Sequence, residues 1–419
     1  MTTSAPSARD QETATTEAVS LPWLLTETTL IQALGTAAVL TVPALAPAVA
    51  VTLGVPSSFV GYQVGLVYLA AMVSSLVGGA LVARWGPCRT GQTAMALAAG
   101  GSLLVSIPHL GGMVAGSLAI GFAYGLINPS ASDLLQRHSP PHRRNLLFSV
   151  KQTGVPIGGI LAGLVGAPMA VALGWSAVLW AVAAACLVLM FALQRGRAKL
   201  DAHANASTRL LRSSILGLET IRSDRSLLLL AASSFCFSAI QLCLVAFLVV
   251  LLVEDLQLGL VEAGMILAAV QVMGAVGRLL WGYVADRIRS GLAVLTGLAA
   301  LMAVMSVVIL FVSPDWPLWT VIVAFMGLGL TGVGWNGVYL SEVARLSPLR
   351  AVGSVTGTAM FVTFAGVLVG PTIFSFVHAR IGSYIGSYGV LTVLALVGGA
   401  LAAATWIRDR RSTAAAGAD

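Results

Sequence analysis

Apolar runs of span length recur from one end of this chain to the other, so it cannot hide its apolar surface inside a water-soluble globule. They lie near residues 25–50, 57–83, 91–108, 112–135, 146–168, 172–193, 226–253, 259–285, 291–312, 318–341, 351–377 and 385–407. A bilayer-crossing helix takes about 20 apolar residues, and this chain is 58% apolar and 9% charged, where a soluble domain carries about 25% charge. The pattern predicts an all-α membrane protein with twelve transmembrane helices. The 45 glycines and 16 prolines suit such a bundle, where neighbouring helices satisfy freed backbone groups and small residues allow close approach.

Charge placement gives the orientation. Of the 23 Lys and Arg, twenty fall in alternate gaps, among them Arg84, Arg137, Arg143, Arg144, Arg287, Arg345 and Arg408. The opposite gaps hold only Arg380, beside Glu254, Asp255, Glu262 and Asp315. The positive-inside bias therefore puts both termini and the 194–225 connection in the cytoplasm, and the expected location is a bacterial-type inner membrane, crossed many times. A net charge of +7 spread over short gaps is no basic face, so no nucleic-acid partner is expected. Cys88, Cys186, Cys236 and Cys243 form no C-x-x-C pair and read as packing residues, with neither disulfide nor metal expected, and no cofactor is expected either. Residues 1–20 and 409–419 read as cytoplasmic tails, the first a disordered one without the order of a signal peptide. No P-loop and no nucleophile–base spacing supports an enzyme.

The chain also repeats. A shift of 208 places Asn128 on Asn336, Arg137 on Arg345, Ser139 on Ser347 and Pro140 on Pro348. A shift of 203 places Gly79 to Arg84 on Gly282 to Arg287. Two six-helix halves follow, 21–193 and 226–408, joined by the polar linker 194–225 and related by an axis along the membrane normal.

The loop after the eighth span, Gly282-Tyr-Val-Ala-Asp286-Arg287-Ile-Arg289, resembles the G-x-x-x-D-R loop of the major facilitator superfamily. Its degenerate copy, Gly79-Ala-Leu-Val-Ala-Arg84-Trp-Gly86, has Ala83 at the acidic position. Gly154-Val-Pro-Ile-Gly-Gly159 and Gly366-Val-Leu-Val-Gly-Pro371 are similar to that family's Gly/Pro bending motif. The resemblance runs from about residue 21 to 408 and implies a monomeric rocker-switch transporter, with a cavity lined by helices 1, 4, 7 and 10 and gated by 2, 5, 8 and 11. It implies that Asp286 and Arg287 lock the cytoplasmic helix ends when the cavity opens outward; the alternative is that they only end the helix. With Ala83 beside Arg84, the matching lock is weakened or passes to Asp133, and Glu342 is a further gating candidate.

Ionisable groups inside hydrocarbon are functional candidates by default. Arg278 lies about 12 Å from the cytoplasmic end of its helix and Lys151 about 10 Å into the fifth, at 1.5 Å per residue. Opposed across the halves, the two cations call for an anion between them, with Arg278 gripping a carboxylate and Lys151 adding an adjustable charge. The alternatives are that Lys151 snorkels to the interface and that Arg278 pairs with a carboxylate or with helix-end carbonyls. The Arg278-x-x-x-Gly282-x-x-x-Asp286 spacing is similar to helix 8 of oxalate/formate antiporter-like and monocarboxylate transporter-like proteins, a resemblance that implies carboxylate binding by this arginine.

Gln271 lies two turns from Arg278 with Gly274 leaving open space between them. Tyr124 and Asn128 lie one turn apart on helix 4, and Asn336, Trp335 and Tyr339 cluster on helix 10. Gln32 and Gln241 are further candidates, while Gln152 points about 100° from Lys151 on a helix and bonds across the half-interface. Glu27, Asp133, Glu254, Glu262 and Glu342 all lie toward helix ends, so a co-transported proton travels with the anion or uses Asp133. The expectation is a secondary transporter for a small organic anion within the lipid bilayer. Multidrug or hydrophobic-compound efflux is the alternative, although Gly116–Gly125 lacks the basic residue of drug/proton antiporters. A transporter-derived solute sensor is a third reading.

Overall fold

The computed structural model describes residues 20–55, 59–208 and 210–416; the tail at 1–19, Arg209 and residues 417–419 lie outside them. The spans are α1 (Leu21–Ala44, continued by Ala46–Leu53), α2 (Phe59–Trp85), α3 (Pro87–Val105), α4 (Leu110–His138), α5, α6 (Trp175–Ala192), α7 (Arg225–Glu254), α8 (Leu260–Arg287), α9 (Gly291–Leu310), α10, α11 (Val352–Ile381) and α12 (Tyr384–Ser387 and Gly389–Ala416). Among the described residues eleven helices are long and apolar enough to cross a membrane. The twelfth, α3, forms as well, but Arg89, Thr90, Gln92 and Thr93 make its inner end polar.

Two helices are broken at the level of the buried cations. Helix α5 consists of an inner segment Arg144–Gln152, a middle segment Gly154–Ile160, a π-turn Leu161–Val165 and an outer segment Gly166–Leu173. Pro156 has no N–H and cannot bond the carbonyl four residues back, so the Gln152 carbonyl is freed. Helix α10 divides into Leu318–Gly332 and Asn336–Leu346, and the irregular residues 333–335 leave the Val333 carbonyl without its helical partner. In a bilayer such carbonyls need protein partners.

Glycines set the approach of α5 to α1: a Cβ on Gly154 or Gly158 would run into the Thr29 or the Ala33 carbonyl. The two halves then meet tightly on the arginine-rich, cytoplasmic side. Gly79 of α2 lies against the backbone of Gly353 and Ser354 in α11, and the linker helix Leu210–Ser223 brings Gly217 onto Ser354 and Thr358. Ser149 of α5 is wedged between Gly282 of α8 and Gly337 of α10. Asp286 completes the closure across the halves. Its carboxylate accepts the backbone N–H of Asn145 (3.0 Å) and of Leu146 (2.9 Å), and the Asn145 side-chain amide at 2.9 Å. It thereby caps the N-terminus of the inner α5 segment, where negative charge is favoured.

On the outer side the halves part. Helix α8 packs along the inner segment of α5 and only grazes Gly154–Ile160, and α1 and α7 make no extensive contact. Ile160 of α5 is 54% exposed and Val272 of α8 is 61% exposed. The halves are thus joined most tightly on the arginine-rich side.

Two substitutions test this closure through a Val82→Cys reporter, whose site is 5% exposed against Gly353, in a chain with the four native cysteines replaced. Gly79→Val forces α2 from α11; overpacking of this kind costs about 1–3 kcal/mol, and labelling from the cytoplasmic side is expected to rise. Asp286→Asn removes the charge from three hydrogen bonds. Hydrogen bonds to charged groups contribute about 1.5–3 kcal/mol each, so labelling rises by at least tenfold; an unchanged rate would show that Asp286 holds nothing shut.

Candidate functional site

Between the halves lies a cavity of about 90 Å³, room for a few waters or a small solute. Its wall is rich in amides: Gln32 of α1, Asn128 of α4, Gln152 of α5, Gln241 of α7 and Asn336 of α10. Arg278 of α8 joins them, and Tyr68, Tyr124 and Phe364 form an aromatic wall with ring centroids 6.0–6.2 Å apart. Among the described residues no carboxylate lines this cavity.

Arg278 is 1% exposed. Its Nη1 donates to the Gln152 carbonyl in a short hydrogen bond, and its Nε donates to the Val333 carbonyl at 3.3 Å. These are the two carbonyls released by the breaks in α5 and α10. The guanidinium thus sits at the C-terminal ends of two half-helices, one from each half of the molecule, where the helix dipoles are negative. Of the two alternatives for this residue, helix-end carbonyls are the partners found. The bonds to Nε and Nη1 leave Nη2 as a further donor on a residue that lines the cavity.

Lys151 is 1% exposed and does not snorkel. Its Nζ donates to Gln32 Oε1 and Asn128 Oδ1, both at 2.6 Å, and to Gln152 Oε1 at 3.3 Å. It sits behind the wall, with its amide partners between it and the cavity. The expectation that Gln152 points away from Lys151 is corrected: both belong to the regular segment Arg144–Gln152 and start about 100° apart, but the two long side chains bend toward each other and meet at 3.3 Å. Gln32 also donates from Nε2 to Thr36 Oγ1 at 3.3 Å.

On the opposite wall, Gln241 Oε1 accepts from Trp335 Nε1 (3.1 Å) and Asn336 Nδ2 (2.8 Å). Tyr124 and Asn128 line the same cavity. Tyr339 does not; it is buried against Trp335, with ring centroids 5.3 Å apart. Gln271 lies exposed outside the cavity, and the space expected at Gly274 is filled by Val333, against which a Cβ there would clash. Tyr68, Met360, Thr363 and Phe364 carry no sequence signal of their own, because α2 and α11 spread apolar and small polar residues around the helix, so no periodicity marks an inward face.

The remaining gating candidates are arranged unequally. Arg84 and Arg287 are exposed, which leaves the inter-half lock to the Asp286 carboxylate. Asp133 does not replace the acid missing at Ala83: it pairs with Arg137 of its own helix at 2.8 Å. Glu342 accepts from the Gly291 N–H (3.1 Å) and pairs with Arg345 (2.7 Å), which also reaches Asp409 at 2.9 Å. This network joins α9, α10 and α12 within one half.

Similarity to known proteins agrees with this geometry. A family model described as Major Facilitator Superfamily matches residues 28–371. A facilitated glucose transporter, solute carrier family 2 member 10 of Xenopus tropicalis, is 29% identical over 101 residues, which make up 24% of this chain and 18% of that protein. The chain thus aligns to under a fifth of that relative's length. Among solved structures, a variant of the E. coli fucose:proton symporter superimposes with a TM-score of 0.72 at 15% identity, covering 92% of this chain and 99% of the other. The human organic anion transporter MFSD10 superimposes with a TM-score of 0.69 at 15% identity, covering 92% and 100%. Twelve helices in two repeated halves around a polar central cavity, with a family match over most of its length, make this chain a member of the Major Facilitator Superfamily, whose members are multi-pass membrane transporters.

Proposed function

We propose that this transporter carries a small organic anion, most simply a carboxylate. The observation that carries the reading is electrostatic: two buried cations, Arg278 and Lys151, stand at or directly behind a cavity that no carboxylate lines among the described residues. The Nη2 of Arg278 and the amide N–H groups are donors suited to an oxyanion, and the aromatic wall accommodates an apolar portion of the solute. The Arg278-to-Asp286 spacing, which resembles that of helix 8 in oxalate/formate antiporter-like and monocarboxylate transporter-like proteins, supports the same choice. The protein works as a monomer in a bacterial-type inner membrane.

A neutral polyhydroxylated solute is the second reading, favoured by the five amides around the cavity and by the sugars that several relatives' names carry. The fold does not choose between the two, since sugar and organic-anion transporters share it.

The deciding experiment is a thermal-shift screen of the detergent-purified protein against small mono- and dicarboxylates, monosaccharides and lipophilic cations, with Arg278→Gln and Arg278→Lys in parallel. A ligand specific to the folded state adds about 2.7 kcal/mol of stability at a hundredfold excess over Kd. A carboxylate is expected to stabilise the parent and to bind about tenfold to a hundredfold more weakly to Arg278→Gln, the loss of one charged hydrogen-bond pairing of about 1.5–3 kcal/mol. Stabilisation by monosaccharides alone would favour the second reading, and stabilisation by lipophilic cations alone, equal in parent and variants, would return the protein to the efflux class.

A further inference from the structure

Lys151 does something that solute contact alone does not require. An ammonium has three N–H donors and no acceptor, and Nζ meets three side-chain oxygens, from Gln32, Asn128 and Gln152. Each of these amides is therefore turned with its oxygen toward the lysine. All three also line the cavity. The Gln32 amide nitrogen is occupied by Thr36, while the oxygens of Asn128 and Gln152 are taken by Lys151 and their nitrogens remain as donors on residues that line the cavity. The charge on one buried nitrogen sets the hydrogen-bond polarity of the wall that a solute meets.

We propose that Lys151 is the proton-binding site that couples transport to a proton gradient, and that the three amides relay its protonation state to the solute. The proposal rests on the transporter reading, but not on the class of solute. With Lys151 protonated, the wall presents N–H donors and favours an acceptor-rich solute such as a carboxylate. A neutral amine donates two hydrogen bonds and offers one lone pair, so one amide has to turn, giving its N–H to Nζ and its oxygen to the cavity. That wall repels an anion. The proton leaves Nζ for water entering from the cytoplasmic side once the Asp286 and Gly79 contacts open, and solute and proton move in the same direction.

The surroundings leave this role to Lys151. Helix α8 brings Arg278, held by two carbonyls, and Asp286, engaged by Asn145 and Leu146. Helix α10 carries Tyr339 and Glu342, the latter paired with Arg345, and α4 carries Tyr124 and Asp133, the latter paired with Arg137. Helix α1 carries Glu27, five residues or about 7.5 Å along the axis from Gln32, outside the cavity lining. On α5 itself Arg143 and Arg144 lie at the cytoplasmic end, with His142 in the turn before it. No carboxylate bonds Nζ among the described residues.

The sequence makes the test direct. The chain holds two lysines, Lys151 and Lys199, so Lys199→Arg leaves a single lysine. In that protein, labelled with [13Cε]lysine, one side-chain resonance is expected to move from the ammonium to the amine position as pH is raised across the range in which the protein stays folded. In an added Asn128→Asp variant, a carboxylate beside Nζ is expected to hold the resonance at the ammonium position throughout. A resonance that stays at the ammonium position in the Asn128 protein overturns the proposal, as does a titration that Asn128→Asp leaves unmoved. Failure of the carboxylate screen would leave this titration untouched, so the two readings fall separately.

Discussion

The structure turns on a guanidinium held between two broken helices. A charged side chain at this depth costs at least a few kcal/mol, and Arg278 recovers that cost from the Gln152 and Val333 carbonyls at the C-terminal ends of the α5 and α10 segments. Each such end carries roughly half an electron's negative charge. Pro156 supplies one free carbonyl and the irregular residues 333–335 the other. The breaks and the charge explain each other: without the arginine the carbonyls would stand unsatisfied in the membrane interior, and without the carbonyls the arginine would have no local partner. Because Gln152 belongs to one half and Arg278 to the other, this bond is also a tie between halves at the level of the solute cavity. A solute that draws on Arg278 acts on the same joint that has to move.

Closure toward the cytoplasm is built differently on the two sides of the pseudo-twofold axis. Between α8 and α5 it is a carboxylate on a helix N-terminus; between α2 and α11 it is backbone against backbone at Gly79 and Ser354. Ala83 stands where the repeat carries Asp286, and its side chain can cap nothing. The linker takes over part of that task. Asp201 accepts the N–H groups of Cys88 and Arg89 at the start of α3 (2.8 and 3.1 Å), and the Asn205 N–H donates to the Ala83 carbonyl at 2.9 Å. The connection between the halves is therefore an organised part of the closed side, and its helix Leu210–Ser223 lies on both α2 and α11.

Much of this was legible in the sequence, for a physical reason. A bilayer punishes polar groups and unpaired backbone so strongly that span positions, orientation and the rarity of buried charge are written in composition alone, and Arg278 and Lys151 stood out on that ground. Their partners did not stand out. Backbone carbonyls have no sequence signature, although Pro156 marks where the ladder fails, and the angular spacing of Gln152 from Lys151 does not account for the reach of two long side chains. At Gly274 the same kind of error arose: a missing side chain suggested open space, but the break in α10 places Val333 there. Asp133 was a reasonable stand-in for the acid absent at Ala83 until Arg137, one turn along the same helix, took both its oxygens.

The site uses one arginine and one lysine, and the two are not interchangeable. Arginine keeps its charge under all ordinary conditions and presents a planar fork of donors; lysine carries a compact charge that its surroundings can remove. Arg278 is bound to carbonyls that cannot change character, so it serves as a constant: a fixed positive pole and a fixed tie. Lys151 is bound to amides, neutral side chains that can offer either an acceptor or a donor by turning about a single bond. Carboxylates around Lys151 would have fixed its proton, and backbone carbonyls would have allowed no response to losing it. A cage of amides leaves both states satisfiable, which is what a site must allow if it is to exist in two protonation states while staying buried.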